Sequence, residues 1–380
     1  MSVLGAGMGL GVATELCRSG ELTAGSLQQA AAGFQALRLP SGAIIRTAAR
    51  DIDPGVITGA TLMHEHLGNG RRPTPRGGAA PAPNAPPANP GQDVDWMTIE
   101  LNAARKAGVG CIVSAQTNVL VGSEITDYLK LLSERTGLHL INAGGYYTKQ
   151  TYPADFPMKT DDEIADILVQ AAKAARFGAF GEIGVANGEA DLDPIEKKVF
   201  RAVGKAHVRT GLPIFTHNNY STGPEVKPDI ALHQLDELEA VGVKPEHVAI
   251  GHVCCLDDPK AEVAKALAKR GAFVAFDRVT RQQQWVSDEH RLMMIASFLD
   301  AGHIDHLLLS SDYIGGINTA VGEINMYPGP LHARDGGPGY ARPLVLFAPK
   351  MRQAGVKDQD IRRITQDNPR RFLAFVPKEA

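Results

Sequence analysis

From residue 94 onward the chain alternates amphipathic stretches of helical period with short runs that are apolar throughout, and a glycine commonly separates one from the next. The helical stretches span residues 94–107, 123–136, 160–176, 194–210, 229–241, 257–269 and 288–301. The apolar runs between them end at Ala115, Gly144, Gly184, His217, His252, Arg278 and Asp312. Thr160-Asp-Asp-Glu163 has the form of a helix-capping box, and the intervening glycines read as helix C-caps. Residues 58–67 add an opening strand. Eight short apolar strands, each followed by a helix, predict parallel strands buried on both faces, and that number closes into a barrel. The fold class is therefore α/β, a TIM (β/α)8 barrel, with helices over residues 342–354 and 357–375 completing the outer ring.

Two stretches break the rhythm. Residues 1–44 form an N-terminal extension in which 1–13 are small and apolar and 26–37 have helical composition; residues 43–57 then read as a small strand pair or extended lead-in covering the barrel's base. Residues 68–92 form a Pro/Ala-rich insertion that suits neither helix nor strand, so it reads as an extended loop leaving the barrel beside His66. The barrel domain itself runs from 45 to 376.

The chain has 380 residues, 44% of them hydrophobic and 21% charged, enough for one large core. A formal net charge of -3 leaves no basic footprint for nucleic acid, so the expected partner is a small molecule. No run is long enough to span a membrane. The four cysteines, Cys17, Cys111, Cys254 and Cys255, do not make a disulfide framework and suit a reducing compartment. A cytoplasmic location follows, unless residues 1–13 are the remnant of an export signal, which would make the protein periplasmic or secreted.

The chemistry lies at the strand ends. His64 and His66, two apart, project to one side at the end of the first strand. Glu182 ends the fourth strand, His217 the fifth and His252 the sixth, and Asp312 follows the eighth. In a barrel of this kind all of these ends meet on one rim, where active sites are built. Four imidazoles and two carboxylates suit zinc, with manganese, cobalt or iron as alternatives. Six ligands exceed what one open catalytic ion takes. The economical partition gives His64, His66 and Asp312 to one divalent ion and His217 and His252 to the other, with Glu182 bridging both.

The ordered set Thr-Leu-Met-His64-Glu-His66-Leu, Gly-Glu182-Ile-Gly, Thr-His217-Asn-Asn, Ile-Gly-His252, Ser-Asp312-Tyr and Asp-Asn-Pro-Arg-Arg-Phe-Leu resembles the phosphotriesterase-related branch of the amidohydrolase superfamily, from about Ile45 to Val376. The resemblance implies a TIM barrel with two metal ions, the same ligand roles, and hydrolysis of a lactone, carboxylic ester, amide or phosphotriester. It is compatible with a homodimer. Organophosphate-hydrolysing and lactonase members bridge their ions with a carboxylated lysine. Here the fourth strand reads Phe180-Gly-Glu182-Ile, as in the family's glutamate-bridged members, which argues against efficient organophosphate hydrolysis. Tyr146 after the third strand and Asp277-Arg278 after the seventh resemble positions that lactonase members use to hold substrate, although tyrosine and arginine at a barrel rim also serve as plain loop anchors. A loop over residues 318–340, with Trp285 and Tyr313, is expected to shape the pocket.

The expected mechanism uses a metal-bridging hydroxide as nucleophile and Asp312 as proton acceptor, with His252 as an alternative partner in the proton relay. Two other readings stay open: a metal- and ligand-binding member without efficient catalysis, and a mononuclear amidohydrolase.

Overall fold

The computed structural model describes residues 39–67, 94–115, 123–185, 191–218, 228–281, 286–315 and 330–378. The expectations placed on residues 1–38, on the 68–92 insertion, on Trp285 and on the first part of the 318–340 loop lie outside these residues. Among the described residues, eight parallel strands follow one another in sequence order: β1 (Ala60–Glu65), β2 (Val109–Ser114), β3 (His139–Gly144), β4 (Ala179–Gly184), β5 (Ile214–His217), β6 (Val248–Ile250), β7 (Phe273–Phe276) and β8 (Leu307–Leu309). Asp312 N–H donates to His64 C=O at 3.0 Å and His66 N–H to Tyr313 C=O at 2.9 Å, joining the segment after β8 back to β1. The result is a TIM barrel.

Seven helices alternate with these strands: α1 (Val94–Lys106), α2 (Ser123–Thr136), α3 (Asp161–Ala174), α4 (Pro194–Thr210), α5 (Ile230–Glu239), α6 (Glu262–Arg270) and α7 (Asp288–Asp300). Their starts are set by local chemistry. Thr160 and Glu163 form a reciprocal capping box ahead of α3, and Asp193 with Glu196 does the same ahead of α4, where Pro194 occupies the first turn. Gly211 ends α4 at φ 81°, a left-handed conformation that glycine adopts without steric cost.

A small antiparallel pair, Ile45–Arg46 with Asp51–Ile52, precedes the barrel, and Ile45 and Ile52 join the interior cluster that also holds Met63, Val113, Phe215, Leu308, Phe372 and Leu373. The last two helical stretches are not continuous. Each widens into a π-turn, at Pro343–Phe347 and Arg363–Asp367, immediately before a helix with a proline in its first turn, Ala348–Gln353 or Asn368–Leu373. Pro349 and Pro369 lack the N–H that an unbroken α-helix would use there, so the preceding turn opens. Among the described residues no helix is long and apolar enough to cross a membrane.

Register shifts set the direction of the rim side chains. In β1, Leu62 packs outward and Met63 inward, so strict alternation would turn His64 outward. A shift in pairing between Leu62 and Glu65 returns His64 and His66 to the interior and sends Glu65 to the other side. A second shift, between Phe180 and Ile183, does the same for Glu182, because both flanking side chains pack outward. Gly181 is required beside it: a Cβ there would lie 2.3 Å from the Phe215 ring.

Candidate metal centre

All six rim residues come together and all are nearly sealed from solvent. Glu182 lies at the middle of the group. Its Oε2 is 3.1 Å from His64 Nε2 and 2.8 Å from His217 Nδ1, and its Oε1 is 3.6 Å from His66 Nε2. His252 Nε2 sits 2.9 Å from His217 Nδ1, and Asp312 Oδ1 sits 2.7 Å from His66 Nε2. Donor atoms of His64, His66 and Glu182 all fall within 4.8 Å of one another, and so do those of Glu182, His217 and His252. The two sets share one carboxylate.

The donor set suits divalent ions, and one atom makes the fit specific. His64 Nε2 is buried with no hydrogen-bond partner among the described residues, and it lies 3.1 Å from Glu182 Oε2 without the alignment that a hydrogen bond needs. An orphaned imidazole nitrogen beside an ionised carboxylate is costly unless a cation lies between them.

The outer nitrogens are held in turn. Asp277, just past β7, takes His64 Nδ1 on Oδ2 at 2.9 Å, and on Oδ1 it takes His252 Nδ1 at 2.9 Å and the His252 backbone N–H at 2.8 Å. His66 Nδ1 is held by the Ala115 carbonyl at 3.1 Å. With their Nδ1 protons engaged, His64, His66 and His252 present Nε2 inward, the tautomer that a metal requires. Glu65 faces away from the group. It accepts from the Ser310 hydroxyl, from the Ser311 hydroxyl and N–H, and from Tyr313 N–H, which fixes the backbone on both sides of Asp312.

His252 and Asp312 are left-handed, with φ of 58° and 51°. Such a conformation in non-glycine residues is held by its surroundings, here Asp277 and Glu65, and commonly marks a functional rim.

Charge in the group is polarised. Burial opposes ionisation of Glu182, yet His64 and His217 outweigh it and hold its pKa well below the usual range. The same contest at Asp312 is won by Arg281 and Arg278. Burial, then the Arg278 charge, pushes His252 down to about 3, which keeps it a neutral imidazole. His64 goes the other way: burial disfavours its charge, but Glu182 and Asp277 raise its pKa well above the ordinary value.

The structure separates the two positions expected to hold substrate. Tyr146 is not at the centre: its ring packs edge-on against Phe156 and Tyr152 in the outer core. The next residue, Tyr147, is there instead, with its hydroxyl 3.2 Å from His217 Nε2. Burial, then the Glu182 charge, raises the Tyr147 phenol. Arg278 is beside the centre, donating through Nε to Asp312 Oδ2 at 2.7 Å. His252 pairs through Nδ1 with Asp277, and its Nε2 lies 2.9 Å from His217 Nδ1 and 3.8 Å from Glu182 Oε2.

Tyr147 and Arg281 were not singled out by sequence, and Asp277, read together with Arg278 as a substrate-holding position, instead orients His64 and His252. Tyr313 packs against Tyr340 and His332 behind the rim rather than in the group.

A barrel with this rim defines a class, the metal-dependent hydrolases. A model described as the Phosphotriesterase family matches residues 44–373, and the chain belongs to that family. Among its relatives, the phosphotriesterase homology protein of Escherichia coli (strain K12) is 29% identical over 72% of this chain and 87% of its own. A crystal structure of the E. coli phosphotriesterase homology protein with phosphate in its active site aligns with a TM-score of 0.66 at 26% identity, over 85% of this chain and all of that one. The N-acetyltaurine hydrolase of Xenopus tropicalis is 26% identical over 75% of this chain and 78% of its own. The aryldialkylphosphatase of Saccharolobus solfataricus is 26% identical over 72% and 84%.

Proposed function

We propose that this chain is a binuclear hydrolase that cleaves a carboxylic ester, lactone or amide. His64, His66 and Asp312 hold one divalent ion, His217 and His252 hold the other, and Glu182 serves both. Zinc suits the nitrogen-rich set best. The observation that carries this reading is the sharing of Glu182 by two tight donor groups.

When bound, the ions supply a nucleophilic hydroxide near neutral pH and polarise the substrate's carbonyl oxygen. The chain does the rest. Asp312 accepts the nucleophile's proton and passes it to the leaving group; the two guanidiniums that depress its pKa make it release that proton readily. His252 keeps its Nδ1 proton on Asp277, so its part is that of an oriented ligand. Tyr147 donates from the His217 side to the substrate oxygen as charge develops.

Carbonyl substrates are favoured over phosphotriesters because β4 offers Glu182 and no lysine as the shared group. The amide belongs among them because several relatives are named N-acetyltaurine hydrolases. Four irregularly spaced cysteines that make no disulfide framework suit a cytoplasmic setting.

The test is hydrolysis of matched aryl ester, lactone, N-acyl amide and phosphotriester substrates by the metal-reconstituted protein, with Glu182→Ala as control. Turnover of a carbonyl substrate that the control abolishes is the expected result. No turnover of any class by a protein carrying its metal would overturn the reading in favour of a binding protein.

A further inference from the structure

Just beyond His252 stand two adjacent thiols that face each other. The short 3-10 turn Val253–Cys255 swings both side chains to one side, and Cys254 Sγ lies 3.9 Å from Cys255 Sγ. Cys254 is fully buried and Cys255 is 4% exposed. A thiol packed only as a small apolar filler has no need of a second thiol within its reach.

The dithiol is tied to the centre through the backbone. Cys255 N–H donates to the His252 carbonyl at 2.9 Å and closes the turn. Cys254 Sγ accepts from the Arg278 N–H at 3.4 Å, and the Cys254 carbonyl accepts from Arg291 Nε at 3.2 Å. His252 itself sits at φ 58°, a left-handed conformation that persists only while its surroundings hold it. Adjacent Cα atoms are about 3.8 Å apart, below the roughly 4.4 to 6.8 Å that a relaxed disulfide spans, so pairing of neighbours twists the peptide between them. That peptide carries the N–H that holds the His252 carbonyl.

We propose that Cys254 and Cys255 are a reversible oxidation site, and that closing their disulfide loosens His252 and weakens the ion it holds. The oxidant is hydrogen peroxide. The sulfur of Cys255, the more exposed of the two, attacks one peroxide oxygen; the O–O bond breaks, an S–OH bond forms, and the departing oxygen leaves as water with the thiol's proton. The Cys254 sulfur then displaces that hydroxyl, an S–S bond forms, and a second water leaves with the Cys254 proton. Two thiols lose two electrons, and the peroxide gains them. An external dithiol reopens the strained ring readily. The effect on one ion of a pair rests on the binuclear reading; the oxidation itself does not.

The test uses the zinc-reconstituted protein, because zinc has no redox chemistry of its own. It is treated with hydrogen peroxide and then with a phosphine reductant, each desalted away before analysis. The peptide that carries both cysteines is expected to lose the mass of two hydrogen atoms, and competition with a chromophoric chelator to show one zinc constant weakened at least about tenfold; the reductant reverses both. Cys255→Ser is expected to keep its zinc through the same treatment. A peptide that retains both thiols overturns the proposal, as does a sulfinic acid at Cys255 with no disulfide. A disulfide that leaves the zinc constants within about twofold of the reduced protein overturns it too, and so does equal weakening in Cys255→Ser. The wild-type readings are decisive whether or not the variant folds. A reduced protein that carries one zinc sinks the paired-ion reading, and the proposal then stands or falls on whether that zinc weakens on oxidation.

Discussion

Asp277 is the residue through which both halves of the centre are oriented, and replacing it by asparagine discriminates between them. The carboxylate serves three donors: His64 Nδ1 on Oδ2, and the His252 backbone N–H and Nδ1 on Oδ1. An amide has one acceptor oxygen. It settles with that oxygen toward His252, where two donors wait, and sets its NH2 against His64. His64 can then pair only by moving its proton from Nδ1 to Nε2, the nitrogen that faces Glu182. The loss therefore falls on the ion assigned to His64 and His66, about 10- to 100-fold in affinity, or about 1.4 to 2.7 kcal/mol. Competition with a chromophoric chelator yields the two stepwise constants, and denaturant unfolding of the metal-free proteins separates binding from folding. Two constants within about twofold of wild type, or a loss confined to the other ion, would refute the orienting role.

Tyr147→Phe removes the hydroxyl beside His217 and leaves the ring; kcat/KM is expected to fall about tenfold with metal content unchanged, whereas Tyr146→Phe, in the outer core, leaves kcat/KM at the wild-type value. Steady-state kinetics on the two variants decides it. Glu100 on α1 is fully buried, and burial raises its carboxyl to about 7 against the pull of the Ala333 and Arg334 amides. Its folded-state pKa lies above the unfolded one, so the stability that Glu100 contributes is present at acid pH and lost as pH rises through about 7. Urea unfolding of Glu100→Gln at pH 5 and pH 8 is expected to show the variant gaining on wild type by up to about 3 kcal/mol; a pH-independent difference contradicts this.

The barrel was legible because its signals are local. Thr160 and Glu163 cap α3 within four residues of chain, and the apolar runs stand between helices with clear ends. The six rim residues could be read because each sits at a strand end and the fold brings such ends together. What sequence concealed depends on distance or on parity. Asp277 earns its place through His64, 213 residues away, and no spacing announces that contact. Tyr146 and Tyr147 differ by one position, and only the course of the backbone after β3 decides which ring turns inward. His64 itself would face outward but for the register shift in β1, a bulge that alternation of polar and apolar residues does not reveal. The closing helices read as continuous because their apolar period is unbroken; the π-turns before Pro349 and Pro369 answer to a missing N–H rather than to the pattern.

The most direct measurement is metal stoichiometry. The wild-type protein is saturated with zinc, freed of excess and analysed by plasma mass spectrometry alongside Glu182→Ala. Two equivalents per chain are expected for the wild type and no more than one for the variant, because Glu182 is the carboxylate that both donor groups share. One equivalent in the wild type, or two retained without Glu182, contradicts a bridged pair of ions and leaves a mononuclear centre as the better description.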